Sequence, residues 1–195
     1  MKKIILKVIA LVVLITSSVV SATPYTYETR SLVAIEGSYN SYDVENDATP
    51  AVRKKVDFGG VGLKIGAQTE TVRVFLSARD NFIDGYDYAY SYGGEVQYLF
   101  NFASFANFFV GANGGYTNMR FVDSSNNSAK VDSMYFGGDA GFNIHLGDGI
   151  DFEVGGRMMK LSDATTTTST PLTYTLDNII TGYASIIFKY SMDKY

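Results

Sequence analysis

The side chains that could do chemistry in this chain are few and poorly matched to one another. There is one histidine, His145, and no cysteine at all. Thiolate nucleophiles, disulfides and cysteine-based metal sites are therefore excluded, as is a lipid-modified cysteine. A general base must lie within hydrogen-bond reach of the group it activates. His145 falls beside the turn sequence Leu146-Gly147-Asp148-Gly149, where a rim histidine bonded to its neighbours or to water is the simpler reading. Asp80, Asp84 and Asp87 could gather round a calcium ion, but their spacing departs from the EF-hand pattern, and acidic loops are ordinarily just solvated. No enzyme activity, metal or cofactor is expected. The richer set is ionic: Glu36, Lys64, Arg73, Arg79, Glu95, Asp139, Asp151, Glu153, Arg157 and Lys189, five acids and five bases. Their chemistry is mutual charge neutralisation, provided one structure brings them together.

The elements that could do so are strands. In eight stretches, at about 31–40, 56–67, 71–79, 88–100, 106–116, 134–144, 150–158 and 180–190, every second side chain is apolar or glycine, and the charges fall between them. In the fifth, Ala106, Phe108, Val110, Ala112, Gly114 and Tyr116 share one face, opposite Asn107, Phe109, Gly111, Asn113, Gly115 and Thr117. Counting the second strand from Gly59 to Ala67, none of the apolar-face positions in the eight strands is charged, although 18% of the chain is. All ten ionic residues fall on the other face. A face so cleanly uncharged suits contact with hydrocarbon, where Lys or Arg at mid-depth costs about 2–4 kcal/mol. The expected architecture is an all-β, eight-stranded antiparallel up-and-down barrel, apolar outside and polar inside. Phe58 falls on the inward parity and suggests a bulge in the second strand.

Length and composition agree. Fifteen Tyr, 13 Phe, 19 Gly and only 3 Pro favour strands and tight turns. Residues 1–22 read as a cleavable export signal, with Lys2, Lys3 and Lys7 ahead of an apolar run and Val20-Ser21-Ala22 as the cleavage site; the barrel domain is then 23–195. Removing the signal leaves 13 basic against 20 acidic groups, which argues against nucleic acid as a partner. Links after strands 2, 4 and 6 are short (68–70, 101–105, 146–149), and those after strands 1, 3, 5 and 7 are longer (41–55, 80–87, 118–131, 160–174). The Gly and Asp of 146–149 suit positive backbone dihedrals. Short turns on the periplasmic side and long loops outside would leave both termini periplasmic. Outward aromatics then form two bands: Tyr98, Phe100, Phe108, Phe142, Phe152, Phe188 and Tyr190 near the short turns, and Tyr39, Tyr88, Tyr90, Tyr92, Tyr116 and Phe136 near the long loops.

With these features the chain resembles the small eight-stranded outer-membrane barrels of Gram-negative bacteria, the OmpA-type transmembrane domain and its OmpX-like relatives. The resemblance spans 31–190 and rests on pattern. It implies outer-membrane lipids and lipopolysaccharide as surroundings, and the barrel-assembly machinery as a partner during insertion. Family members end in an outward aromatic that this machinery reads; Tyr190 fits, or Tyr195 if a bulge near Met192 restores its parity. An eight-stranded interior is just wide enough to be filled by side chains, so the balanced charges point to a plugged, salt-bridged lumen. The function expected is structural or surface-interactive, with four loops exposed to an unidentified ligand. The alternative is a narrow ion channel or a carrier of small apolar solutes through the barrel. A soluble lipocalin-like binder would instead turn Val33 and Phe108 inward. Asp43, Glu45 and Asp47 with Arg53, Lys54 and Lys55 in the first loop read as solvated surface, though the basic trio could also meet lipopolysaccharide phosphates; the run Thr165–Thr170 in the fourth is low in complexity and expected to be mobile.

Overall fold

The computed structural model describes residues 29–46, 53–122, 128–162, 165–167 and 173–191. The expected export signal, Tyr195 and the tips of three loops lie outside them. The described residues form β1 (Arg30–Asn46), β2 (Arg53–Gln68), β3 (Val72–Phe82), β4 (Tyr86–Ala103), β5 (Ala106–Val122), β6 (Ser128–Gly147), β7 (Ile150–Ser162), β8 (Thr165–Thr167) and β9 (Thr173–Ser191). From β1 to β7 each strand pairs antiparallel with the next, β7 pairs with β9, and β9 returns to pair with β1, from Arg30↔Ser191 upward. The three-residue β8 pairs with the upper part of β9. Eight strands therefore close the wall, which removes the sheet edges that an open sheet would expose.

One end of the barrel, the turn end, carries the links 69–71, 104–105 and 148–149 together with the start of β1 and the end of β9; the opposite end is the loop end. Strands run past the limits set by apolar alternation, most of all at the loop end. One link there is corrected outright: 80–87 is not a long loop, because β3 and β4 are joined by 83–85, as tight as the turn-end links. Tyr86 N–H donates to Ile83 O at 3.1 Å across it. Gly85, at φ +80°, is the positive-φ glycine of the described residues, so the dihedrals expected at Gly147 and Gly149 are found there instead. The bulge expected at Phe58 is also absent. β1 and β2 pair without a break from Arg30↔Gln68 to Glu45↔Arg53, and Phe58 lies in register opposite Asn40 with its ring inside the barrel.

Phe58 points inward because of where it lies along the wall. Over most of each strand, apolar side chains face out: Val33, Ile35 and Tyr39 in β1, Val61, Leu63 and Ile65 in β2, Met134, Phe136 and Phe142 in β6. Near the loop end the side-chain parity continues but its chemistry reverses. In β2, Lys55 and Asp57 face out while Phe58 is buried; in β6, Lys130 and Asp132 face out around buried Val131. β7 does the same, with Lys160 outside between buried Met159 and Leu161, and β5 has Arg120 outside next to buried Met119. The wall thus changes from apolar-out to polar-out within unbroken strands. Tyr39, Tyr90, Tyr92, Tyr116 and Phe136 stand on the outer surface at that change, with Tyr92 and Tyr116 packed at 5.6 Å between centroids. Towards the turn end a second run of rings, Tyr98, Phe100, Phe108 and Phe142, is continuous across β4, β5 and β6 at 4.8 to 6.1 Å. Phe152, Phe188 and Tyr190 lie on the same outer face, Tyr190 exposed and the other two half-buried.

Candidate functional site

The interior is filled in three tiers. Strand alternation puts alternate side chains of every strand inside, so each tier draws on many strands. The middle tier holds seven ionic side chains, all buried: Glu36 of β1, Lys64 of β2, Arg73 and Arg79 of β3, Glu95 of β4, and Glu153 and Arg157 of β7. Glu36 is the hub. It accepts Lys64 Nζ at 2.7 Å, Arg79 Nε at 2.8 Å and Arg157 at 3.1 Å. Glu95 is bound by Arg79 and by Arg157 at 3.1 Å, with Lys64 at 3.6 Å. Glu153 is bound by Arg73 and by Lys64 at 3.2 Å. Every carboxylate thus shares at least two cations, which offsets part of the cost of burying the charges. Aromatic faces complete the packing. Tyr183 lies under Arg157 at 4.5 Å and Lys64 at 4.7 Å, and Phe109 under Arg73 at 5.2 Å.

Asp139 joins this tier through amides. Arg73 Nε donates to Gln97 Oε1 at 2.7 Å, Gln97 Nε2 donates to Asp139 Oδ2 at 2.6 Å, and Asn113 reaches Asp139 Oδ1 at 3.4 Å. Lys189 belongs elsewhere, in the tier at the turn end. Its Nζ meets Asp151 at 2.5 Å, and Asp151 also accepts Asn143 at 2.7 Å and faces His145 Nδ1 at 2.9 Å. His145, Lys189, Asn107, Arg30 and Gln68 line an open polar cup of about 560 Å³ at this end.

The tier at the loop end is apolar, and it is an addition to the salt-bridged lumen expected. Tyr42, Phe58, Ile83, Ala89, Met119, Val131, Tyr135, Met159, Leu161 and Ile179 form one buried cluster. Tyr42 and Tyr86 share a hydrogen bond of 2.7 Å over it. Between this cluster and the ions a cavity of only about 20 Å³ remains, bordered by Arg79, Ser91, Thr117 and Tyr135. That is room for about one water molecule.

Glycines on the inward parity are what let large side chains fit. A Cβ on Gly155 would lie 2.8 Å from the Tyr183 ring, one on Gly141 2.7 Å from Phe109, and one on Gly111 2.7 Å from Gln97. Gly93 and Gly115, opposite each other in β4 and β5, leave the space taken by the Tyr135 hydroxyl. Sequence reasoning saw these glycines but not their occupants; an inward glycine beside an inward aromatic was the available signal.

Asp80, Asp84 and Asp87 stay exposed, Asp87 facing Arg120 at 3.4 Å. Among the described residues no group of acids, histidines or cysteines is placed to hold a metal.

A closed eight-stranded wall with an ionic interior and an apolar outer face is the fold of the small outer-membrane barrels. Solved structures show the same likeness. The Neisserial surface protein NspA matches with a TM-score of 0.54 at 13% identity, over 82% of this chain and 99% of that one. The N-terminal barrel domain of Pseudomonas aeruginosa OprF matches at 0.52 and 11% identity, over 80% and 97%. The outer membrane protein AlkL in lipid bilayers matches at 0.51 and 12%, over 89% and 96%. No family model matches the sequence, and no curated protein does.

Proposed function

We propose that this protein is an outer-membrane barrel with a plugged lumen, working as a structural or surface-interacting element through its loop end. The observation that carries the reading is the reversal of side-chain chemistry along continuous strands. Apolar-out packing fits hydrocarbon, and polar-out packing around an apolar centre fits water. The polar-out segments then stand clear of the membrane on the side of the longer loops, and the turn end with both termini faces the periplasm. Outer-membrane lipids and lipopolysaccharide surround the apolar belt, and the ring bands at its two borders anchor it. Residues 1–22 serve export and are removed, leaving 23–195, and the assembly machinery reads the outward Tyr190.

Two barriers in series support the plugged reading: the ion-paired middle tier and the apolar cluster above it. Conductance of the refolded chain in planar bilayers tests it. Silence is expected, and stable single-channel steps that change with Arg73→Ala or Glu95→Ala would establish the narrow channel instead. Insertion is tested separately by lipid-soluble quenchers acting on labels at Val110, which is exposed on the outer face, and Asn113, which is buried within. Quenching at Val110 alone is expected; quenching at Asn113 would overturn the reading.

A further inference from the structure

The wall is level nowhere less than at β2 and β3. Gly59↔Phe82 is their last rung, and β2 continues for residues 53–58 with no strand paired on that side among the described residues. On its other side the same segment is fully paired with β1, from Asn40↔Phe58 to Glu45↔Arg53. The cause is the tight link 83–85, which turns β3 back before it reaches the height of β2. The direction of the free backbone groups follows from the far end of the ladder. Thr69 N–H donates to Val72 O at 2.8 Å, so odd-numbered residues of β2 aim their backbone groups at β3. By alternation, Lys55 and Asp57 aim theirs at the free edge. Such an edge is a template for another strand.

The sequence of this edge is self-complementary. Lys55 and Asp57, both exposed on the outer face, flank Val56. In an antiparallel pairing centred on Val56, Lys55 stands opposite Asp57 of a second copy, and Asp57 opposite its Lys55. Two cross-strand ion pairs and four backbone hydrogen bonds form by one twofold operation. We propose that the free edge of β2 is a homotypic contact that joins copies of this protein in apposed membranes. Within one membrane every β2 runs from loop end to turn end, so two copies there cannot present antiparallel edges; facing membranes invert one of them. The proposal rests on the loop end lying outside, as argued above.

The test uses the full mature chain refolded into two vesicle populations carrying donor and acceptor lipid dyes. Wild-type vesicles are expected to aggregate. Vesicles with Lys55→Asp alone, or with Asp57→Lys alone, bring like charges together and should aggregate about tenfold more slowly. Mixing these two populations should restore the wild-type rate, because each supplies the charges that the other lacks; the restoration also shows that both variants are folded. Since the chain has no cysteine, Val56→Cys should form a disulfide between vesicles and none within one. Absence of wild-type aggregation, aggregation of the single variants at the wild-type rate, or no recovery on mixing would overturn the proposal. Binding of a foreign strand at the same edge would show as protection of the Lys55 and Asp57 amides without aggregation, which also overturns it. Quencher-accessible Val110 in the same vesicles reports insertion independently, so failure of the contact is distinguishable from failure of the membrane reading.

Discussion

Glu36 shows how much a single interior position carries. Three cations, Lys64, Arg79 and Arg157, converge on it, and all three are buried. Glu36→Gln keeps the shape and removes the charge, leaving an uncompensated cation; a loss of about 3–5 kcal/mol is expected. Adding Lys64→Met should return much of that loss, because the remaining arginines keep Glu95 and Glu153. Urea unfolding of the refolded protein in lipid measures both, and equal stability of the single and double variants would refute the hub role. Gly155 makes a second residue-scale case. Gly155→Ala pushes a methyl group into the Tyr183 ring and should cost about 1–3 kcal/mol. In a cycle with Tyr183→Leu, which vacates the space, the two costs should sum to more than the double variant loses. Parity made the interior ionic residues legible. Which acid meets which base was not, because cross-barrel neighbours such as Glu36 and Arg157 depend on how strands stagger around the closed wall. That stagger is why Lys189 meets Asp151 and lies outside the central cluster, and why Asp139 is held by Gln97 and Asn113.

At the scale of elements, the order of the eight wall strands and their facing were legible, since one face of each strand is apolar over most of its length and that leaves a two-residue rhythm. Strand ends were not. Beyond Tyr39 or Tyr116 the residues of outward parity are Ser41, Asn118 and exposed Arg120, and the inner ones Tyr42 and Met119, so the apolar face changes sides and a rhythm sought on one face stops. Phe58 looked like a fault for the same reason. The β3–β4 link was misjudged because Asp80, Asn81, Asp84 and Asp87 give the segment a loop-like composition, although Asp84-Gly85 is a turn signal. Gly85→Ala should therefore cost about 1–2 kcal/mol through its positive φ, seen as faster unfolding. Val96, exposed on the outer face, lies in register between Val74 and Ala112, and Ala112 in turn faces Gly138. Val96→Arg should lose about 2–4 kcal/mol in a bilayer, whereas Asp57→Arg, beyond the apolar belt, should lose little. Equal losses at the two positions would mean that the outer wall meets a single solvent.

For the whole molecule, the proposed plugged lumen makes the tiers independent seals. The ionic tier excludes solutes because its charges satisfy one another; the apolar tier excludes ions because a bare charge there would lack partners. The two are separated by no more than a cavity of about 20 Å³, yet they share few side chains. Thinning one should therefore leave the other closed. Tyr42→Ala with Met119→Ala, which hollows the apolar cluster, is expected to stay silent in planar bilayers, since Arg79, Glu36 and Arg157 still span the interior below. Arg73→Ala alone should be silent too, with the apolar cluster intact above it. Combining Tyr42→Ala, Met119→Ala and Arg73→Ala should give measurable conductance from a protein still folded by gel migration before heating. Steps from the Arg73→Ala variant alone would show that the loop-end cluster is no barrier. The polar cup at the turn end would then be the mouth of a path held shut by salt bridges only.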